Sequence, residues 1–108
     1  MRITVLSGGA GGARFVQGLR SAINSGTDSI TVVGNTADDI WMFGLRICPD
    51  LDTVMYTLGD GLDTARGWGR RDETWNAQEE LAAYGAEPTW FGLGDRDLAT
   101  HIFRTHLL

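Results

Sequence analysis

The sequence predicts an α/β fold in which helices flank a parallel sheet. Residues 2–6 are rich in β-branched side chains, which is typical of a buried strand, and they lead directly into the glycine-rich loop SGGAGGARF. Residues 11–24 carry apolar side chains at helical spacing, and residues 29–33 form a second predicted strand. The order strand, glycine loop, helix, strand is the beginning of a right-handed βαβ unit with parallel strands.

The remaining chain predicts three further helices. Asp50, Asp72 and Asp95 each stand where a side chain can cap a helix N-terminus. In chain order the predicted elements are a loop or short helix over 34–44, a helix over 50–58, an irregular segment over 59–71, a helix over 72–84, a short strand over 87–91, and a helix from 95 towards 108.

Composition limits the classes of protein to consider. The chain has 108 residues, a net charge of −5 and no basic stripe, so nucleic-acid binding is not expected. No apolar run approaches the ~20 residues that span a bilayer. The single cysteine, Cys48, excludes an internal disulfide and fits a reducing compartment, so we expect a cytoplasmic protein with a buried thiol.

The number of strands is small for a parallel sheet. Only two clear strands and one weaker strand are predicted, whereas a doubly wound sheet usually has about five or six. We therefore expect residues 1–108 to be the N-terminal part of a single larger domain, or to dimerise extensively.

The glycine loop differs from two well-known phosphate-binding loops. It has no lysine, which excludes a Walker loop, and Arg14 stands where a dinucleotide loop has its third glycine. Asn35 follows the second strand where an NAD-binding protein has an acidic residue. What remains is an anion site made by the backbone N–H groups of residues 10–12, with Arg14 as a cationic partner. The alternative is a tight turn that binds no ligand.

An acidic stretch follows the second strand. Asn35, Asp38 and Asp39 lie at the carboxyl edge of the predicted sheet, where α/β proteins bind ligands, and PDLDT adds Asp50 and Asp52. Carboxylates together with substrate phosphates suit Mg²⁺. We therefore expect Asp38 and Asp52 to be metal ligands, although Asp50 has the simpler role of a helix cap.

The segment FGLGDRDLATHIFR carries the last group of candidate residues. Asp97, His101 and Arg104 share one face of the predicted helix, which is equally typical of a solvated ion-pair surface. Neither a serine nor a cysteine nucleophile has a matching base. Trp41 and Trp68 lie in glycine-rich loops, where an aromatic ring can stack on a flat ligand or fill a gap.

Together these segments resemble the 2-phospholactate transferase family, which acts in the biosynthesis of the deazaflavin coenzyme F-420. The resemblance rests on SGGAGGARF, VVGNTADDIWMFG, ICPDLDTVMYTL, RGWG, ETWNAQEELAAYG and WFGLGDRDLATH, and it covers nearly the whole chain. Within the family, the sequence is similar to the actinobacterial branch, which is described as a phosphoenolpyruvate transferase.

The resemblance implies a Rossmann-like fold, a homodimer and a requirement for Mg²⁺. It also implies a reaction in which a phosphoenolpyruvyl or phospholactyl group moves from an activated guanosine diphosphate to the terminal hydroxyl of the deazaflavin precursor Fo, and GMP leaves. A related family of regulatory proteins, which binds a nucleotide sugar on a similar loop without this chemistry, is the alternative. A non-catalytic nucleotide-binding or structural domain is a third possibility.

The resemblance also assigns roles to individual residues. It places the glycines of the loop near the phosphates, and it places Asp52 and the FGLGD turn near Fo. Many family members have lysine at the position of Gly92, so only a backbone contact carries over there. We expect Asp38 or Asp39 to take the proton of the attacking hydroxyl. The full predicted substrate-binding set is Gly8, Gly9, Gly11, Gly12, Arg14, Asn35, Asp52, Gly92, Asp95 and Arg96.

Overall fold

The computed structural model describes residues 1–88 and 90–108, and it confirms the predicted α/β fold. Strand β1 (Arg2–Ser7) and strand β2 (Ser29–Gly34) pair in parallel, in a register that runs from Arg2 opposite Ser29 to Ser7 opposite Gly34. Helix α1 (Ala10–Ala22) connects the two strands. The predicted strand, glycine loop, helix and strand are therefore all present.

A β-hairpin occupies the segment that was predicted to be a loop or short helix. Strands β3 (Ile40–Met42) and β4 (Leu45–Ile47) pair antiparallel, with Met42 opposite Leu45. The two residues between them, Phe43 and Gly44, have φ angles of +53° and +73°. Two left-handed residues are what a tight hairpin turn requires, and phenylalanine seldom adopts that conformation, which is why the sequence pattern missed it.

Helix α2 (Pro49–Leu58) begins with proline, whose fixed φ suits the first turn of a helix. It packs against α1, where Val54 of α2 and Val16 of α1 are buried. A second cluster joins the hairpin to the segment before the last helix. Its buried members are Met42, Ile47 and Leu93.

Helix α3 (Asn76–Ala83) is shorter than predicted, and Asp72, with a φ of +56°, is not helical. The irregular segment before it contains an isolated bridge between Leu62 and Arg70. Helix α4 (Asp95–Leu107) is present where it was predicted. The predicted strand over 87–91 is not formed by residues 87, 88, 90 and 91, and residue 89 lies outside the described residues.

The described residues also answer two compositional expectations. None of the helices within residues 1–88 and 90–108 combines the length and the apolar character that crossing a membrane demands. Cys48 is a buried free thiol, as predicted, and burial raises its pKa.

Candidate functional site

The glycine loop places the N-terminus of α1 at the carboxyl end of β1. The first backbone hydrogen bond into the helix runs from Ala13 N to Gly9 O, over 3.0 Å. The N–H groups of residues 10–12 precede that bond, so they have no acceptor within the helix. They also lie at the positive end of the helix dipole. The predicted anion site is therefore geometrically available.

The four loop glycines fall into two pairs. A Cβ at Gly9 would lie 2.9 Å from Asp50 Oδ1, and a Cβ at Gly12 would overlap Ser7 Oγ. A Cβ at Gly8 or Gly11 would have no atom within 4 Å. Packing within the chain thus accounts for Gly9 and Gly12, whereas Gly8 and Gly11 border open space.

Asn35, Asp38 and Asp50 form an acidic edge beside this loop. Asn35 Nδ2 donates to Asp50 Oδ2 over 2.9 Å, and the Asp50 backbone N–H donates to Asp38 Oδ2 over 3.1 Å. The prediction that Asp50 caps α2 is wrong, because Asp50 lies inside the first turn and Asp38 supplies the cap from outside the helix.

Burial and neighbouring charge act together on the carboxylates of this edge. Burial is the main cause that raises the pKa of Asp38, and the neighbouring Asp50 carboxylate raises it further. Asp38 Oδ1 and Asp39 Oδ1 are both buried without a hydrogen-bond partner among the residues that the structure describes. Asp39 Oδ2 lies 3.7 Å from the guanidinium of Arg46.

Asp52 faces away from this edge, into a buried polar network with α4. Its carboxylate is only 4% exposed and forms an ion pair with Arg104. Arg104 Nη1 also donates to the Arg46 carbonyl over 3.1 Å. Burial raises the pKa of Asp52, and the contact with Arg104 opposes that rise. The structure therefore brings Asp38 together with Asp50, and Asp52 together with α4.

His101 lies between two carboxylates in this network. Its ring is 1% exposed, with Nδ1 at 3.6 Å from Asp52 Oδ2 and Nε2 at 3.1 Å from Asp97 Oδ2. Tyr56 donates to Asp97 Oδ1 over 2.5 Å. Burial would raise the pKa of Asp97, but its contacts with His101 and Tyr56 outweigh burial and lower it. Burial and the Asp97 contact both raise the pKa of Tyr56.

Asp52, Asp97 and His101 also form a possible metal-ligand group, since one ligand atom from each lies within 4.8 Å of the others. Asp97, His101 and Arg104 were predicted to share one helix face but not to belong to the site. The signal was their spacing at i, i+4 and i+7. The sequence did not indicate that Asp52 and Tyr56 of α2 would face them.

A pocket of about 210 Å³ opens beside this network. Its polar side consists of Asp52, Asp97 and His101, and its aromatic side contains Trp68, Trp90 and Phe91. Gly92 also lines the pocket, and its predicted backbone contact with the acceptor stays a prediction. Trp41 lies in β3, where the guanidinium of Arg46 is 5.4 Å from its ring centre, and it does not line this pocket.

Asp95, the first residue of α4, caps α3, and Glu73, which precedes α3, caps α4. The Asp95 carboxylate accepts hydrogen bonds from the backbone N–H groups of Asn76 and Ala77, over 3.1 and 2.9 Å, at the start of α3. Glu73 accepts from the N–H groups of residues 96 and 97, over 2.8 and 3.1 Å, at the start of α4. The prediction that Asp95 caps its own helix is wrong, because its carboxylate turns towards the start of α3.

These bonds also determine how Asp95 titrates. A hydrogen bond from the Thr74 hydroxyl is the largest cause that lowers the pKa of Asp95 to about 2, and the bond from Ala77 adds to it. The Arg96 guanidinium donates to the Asp72 carbonyl over 3.0 Å. Both residues therefore hold the turn that carries Gly92.

Arg14 lies on the exposed side of α1. It lines a smaller pocket of about 130 Å³ with Gln17, Thr57 and Asp60, among others. Its predicted contact with a phosphate stays a prediction.

These features define a class of protein. The chain is a Rossmann-like α/β protein with an open helix N-terminus at the carboxyl edge of its parallel strands and a separate polar and aromatic pocket. The model of the family described as 2-phospho-L-lactate transferase CofD matches residues 3–108. The chain belongs to this family.

Three relatives share the whole or nearly the whole of the chain, and each is named phosphoenolpyruvate transferase. The protein of Thermobifida fusca is 61% identical over 114 residues, which cover 100% of this chain and 35% of the relative. The protein of Nocardia farcinica is 64% identical over 107 residues, covering 99% and 32%. The protein of Streptomyces coelicolor is 65% identical over 108 residues, covering 100% and 33%. The chain thus spans about a third of the length of these curated relatives.

Proposed function

We propose that this chain is part of a transferase of coenzyme F-420 biosynthesis. The enzyme moves a phosphoenolpyruvyl or phospholactyl group from an activated guanosine diphosphate to the terminal hydroxyl of Fo and releases GMP. The observation that carries the proposal is the position of α2, which directs Asp50 to the glycine loop and Asp52 into the pocket. Family membership and the names of the relatives support the same reaction.

The donor's phosphates bind at the start of α1 in this proposal. The N–H groups of residues 10–12 donate to phosphate oxygens in this proposal. Arg14 lies in the same helix, and Asn35 directly follows β2. Gly8 and Gly11 border open space, so the ligand can approach the backbone there. Gly9 and Gly12 serve the same site indirectly, because they let Asp50 and Ser7 pack closely against the loop.

Mg²⁺ fits the acidic edge better than it fits Asp52. Asp38 offers a buried carboxylate oxygen that has no hydrogen-bond partner among residues 1–88 and 90–108, and Asp50 lies beside it. Mg²⁺ prefers such oxygen ligands together with substrate phosphates. Asp52, by contrast, already has Arg104 as its cationic partner. When bound, the ion neutralises phosphate charge and lowers the pKa of the attacking hydroxyl.

The acceptor occupies the pocket. We assign Asp52 and the Gly92 backbone to contacts with Fo, and we assign Asp95 and Arg96 to supporting the turn that carries Gly92. The Fo hydroxyl oxygen attacks the phosphorus that bears the three-carbon unit. The bond from that phosphorus to the GMP oxygen breaks, and Asp38 or Asp39 takes the hydroxyl proton.

We also propose that residues 1–108 form the N-terminal part of a single Rossmann-like domain in a cytoplasmic homodimer. The face of the sheet that carries Leu6 and Val33 is exposed, although parallel sheets are normally covered on both faces. The relatives are also about three times as long as the chain. Light scattering on the intact protein and cell fractionation test the homodimer and the location.

The test is transfer by the intact protein, with Fo, Mg²⁺ and guanosine diphosphate activated by either enolpyruvate or lactate. We expect Asp38→Asn and Asp52→Asn each to lower the transfer rate by roughly 10²-fold or more. Glu80→Gln, an exposed carboxylate-to-amide change on α3, is the matched control and is expected to retain the wild-type rate. Near-normal transfer by both aspartate variants would contradict the assignment.

Fo binding separates this proposal from the regulatory alternative. A transferase quenches or shifts the intrinsic fluorescence of Fo and forms product. The regulatory alternative binds a nucleotide sugar and leaves the fluorescence of Fo unchanged. A protein that binds guanosine nucleotides but forms no product would instead belong with the non-catalytic nucleotide-binding domains.

A further inference from the structure

Trp68 is held at the pocket by an unusual loop. It lies between Gly67 and Gly69, whose φ angles are +80° and +73°. Such angles strongly favour glycine, so the backbone on both sides of Trp68 is committed to this conformation. The Trp68 side chain remains 48% exposed while it lines the pocket.

Two neighbouring side chains brace the Trp68 ring. The guanidinium carbon of Arg66 lies 4.5 Å from the centre of the Trp68 ring and 5.0 Å from the centre of the Trp75 ring. The two indoles meet edge to face, with centres 6.4 Å apart. Arg66 is itself fixed by an ion pair with Asp63 over 3.0 Å. The ring is therefore largely immobilised before any ligand arrives, which reduces the entropy that binding must remove.

Gly92 makes room for this ring. A Cβ at Gly92 would lie 3.0 Å from Cη2 and 3.3 Å from Cζ3 of Trp68, which is tighter than ordinary van der Waals contact. Any side chain at position 92 therefore competes with Trp68 for the same space. In this chain the aromatic ring occupies that space.

We propose that Trp68 is the residue that selects a planar aromatic acceptor in this pocket, and that Gly92 permits it to do so. The inference rests on the proposed function, because it assigns a specificity-determining residue to the acceptor site. The accessible part of the indole offers a flat apolar surface for an acceptor ring to stack on. Asp52 and His101 lie on the polar side of the same pocket, where the acceptor's polar groups belong.

The experiment compares steady-state kinetics of four variants of the intact protein with Fo as the acceptor. Trp68→Leu is expected to raise the KM for Fo roughly tenfold, the effect of losing one stacking contact, with kcat and the donor KM unchanged. Trp68→Phe retains a flat ring and recovers most of the loss. Gly92→Ala gives an intermediate KM, because its Cβ displaces the indole. Tyr84→Leu removes an exposed aromatic ring outside the pocket and serves as the control.

Each outcome supports or overturns the inference. A Trp68→Leu protein with wild-type KM for Fo overturns it while leaving the proposed transfer intact, and so does an equal rise in the donor KM. If Trp68→Leu does not fold by circular dichroism, the Gly92→Ala variant decides, since a wild-type KM for Fo in that variant overturns the inference. Wild-type protein that neither binds Fo nor transfers to it overturns the proposed function together with this extension of it.

Discussion

Gly11 and Gly12 are adjacent in the first turn of α1, but only Gly12 is required by packing within the chain. A methyl group at Gly11 would meet nothing within 4 Å. A methyl group at Gly12 would overlap Ser7 Oγ and lie 3.2 Å from the Cβ of that serine. Alanine substitutions at these two positions therefore separate glycine needed for folding from glycine available to a ligand.

The two substitutions should change stability in opposite directions. Replacing a helical glycine by alanine stabilises a protein by about 0.5–1 kcal/mol, and Gly11→Ala has no steric term to offset that gain. In Gly12→Ala the same gain is opposed by overpacking against Ser7, which costs about 1–3 kcal/mol. We therefore expect Gly11→Ala to raise the free energy of unfolding and Gly12→Ala to lower it.

Urea denaturation of the intact protein measures both changes, and donor kinetics add the functional half of the test. Gly18→Ala is the matched control, because Gly18 lies in the interior of α1 and its Cβ would also meet open space. We expect Gly11→Ala and Gly18→Ala to be similarly stabilised. Only Gly11→Ala should raise the donor KM, by roughly tenfold, since a phosphate displaced from a backbone N–H loses about 1.5 kcal/mol or more.

Two results would refute this reasoning at different points. A Gly12→Ala protein as stable as the wild type would show that Ser7 moves aside without cost. A Gly11→Ala protein with an unchanged donor KM would show that no ligand approaches the start of α1, and the loop would then be only a tight turn.

Three further substitutions test the buried network and the crossed helix caps. Glu73→Gln weakens the cap of α4 and should destabilise the protein by about 1 kcal/mol in thermal melts. Arg104→Met leaves Asp52 buried without its cation, at a cost of about 3 kcal/mol at pH 7 in urea. Because the pKa of Asp52 is raised, this variant should regain stability when the measurement is repeated at pH 5, and no regain would contradict the assignment. Tyr56→Phe removes a donor to Asp97 and should cost about 1–2 kcal/mol at pH 7. Folding lowers the pKa of Asp97, so the ionised carboxylate stabilises the protein above its unfolded pKa of about 4, and this stabilisation is lost as the pH falls below that value. Tyr56→Phe removes part of the stabilisation, so the variant should lose less stability than the wild type between pH 5 and pH 3.

The sequence correctly predicted the helices and strands that depend on residues close together in the chain. The β-branched runs and the glycine loop fixed β1, α1 and β2 within one or two residues. The predictions were wrong where a helix or hairpin depends on a distant residue or on a rare backbone conformation. Helix α3 begins at Asn76 because Asp95, nineteen positions away, supplies its cap. The β3–β4 hairpin depends on a left-handed Phe43 that no residue pattern indicates.

The candidate site shows the same division. The chain order placed Asp38 near the carboxyl edge of the sheet, and the helical spacing placed Asp97 and His101 on one face. That Asp52 would pair with Arg104 depends on how α2 packs on α4, a long-range contact. The prediction that Asp52 is a site residue came with the prediction that it shares a metal with Asp38. In the structure, Asp52 instead contacts His101 and Arg104 of α4.

Helix α2 is the element through which the two halves of the site are connected. Asp50 and Asp52 are two residues apart, which corresponds to roughly 200° of rotation about the helix axis, so they face opposite sides. Asp38 holds the start of this helix through the Asp50 N–H. Removing the Asp38 side chain would thus loosen the helix that positions Asp52, besides removing a proposed metal ligand. Asparagine retains the acceptor oxygen and loses the charge, so Asp38→Asn tests the carboxylate while Asp38→Ala would test both roles at once. A larger loss of transfer in the alanine variant than in the asparagine variant would measure the contribution of the cap.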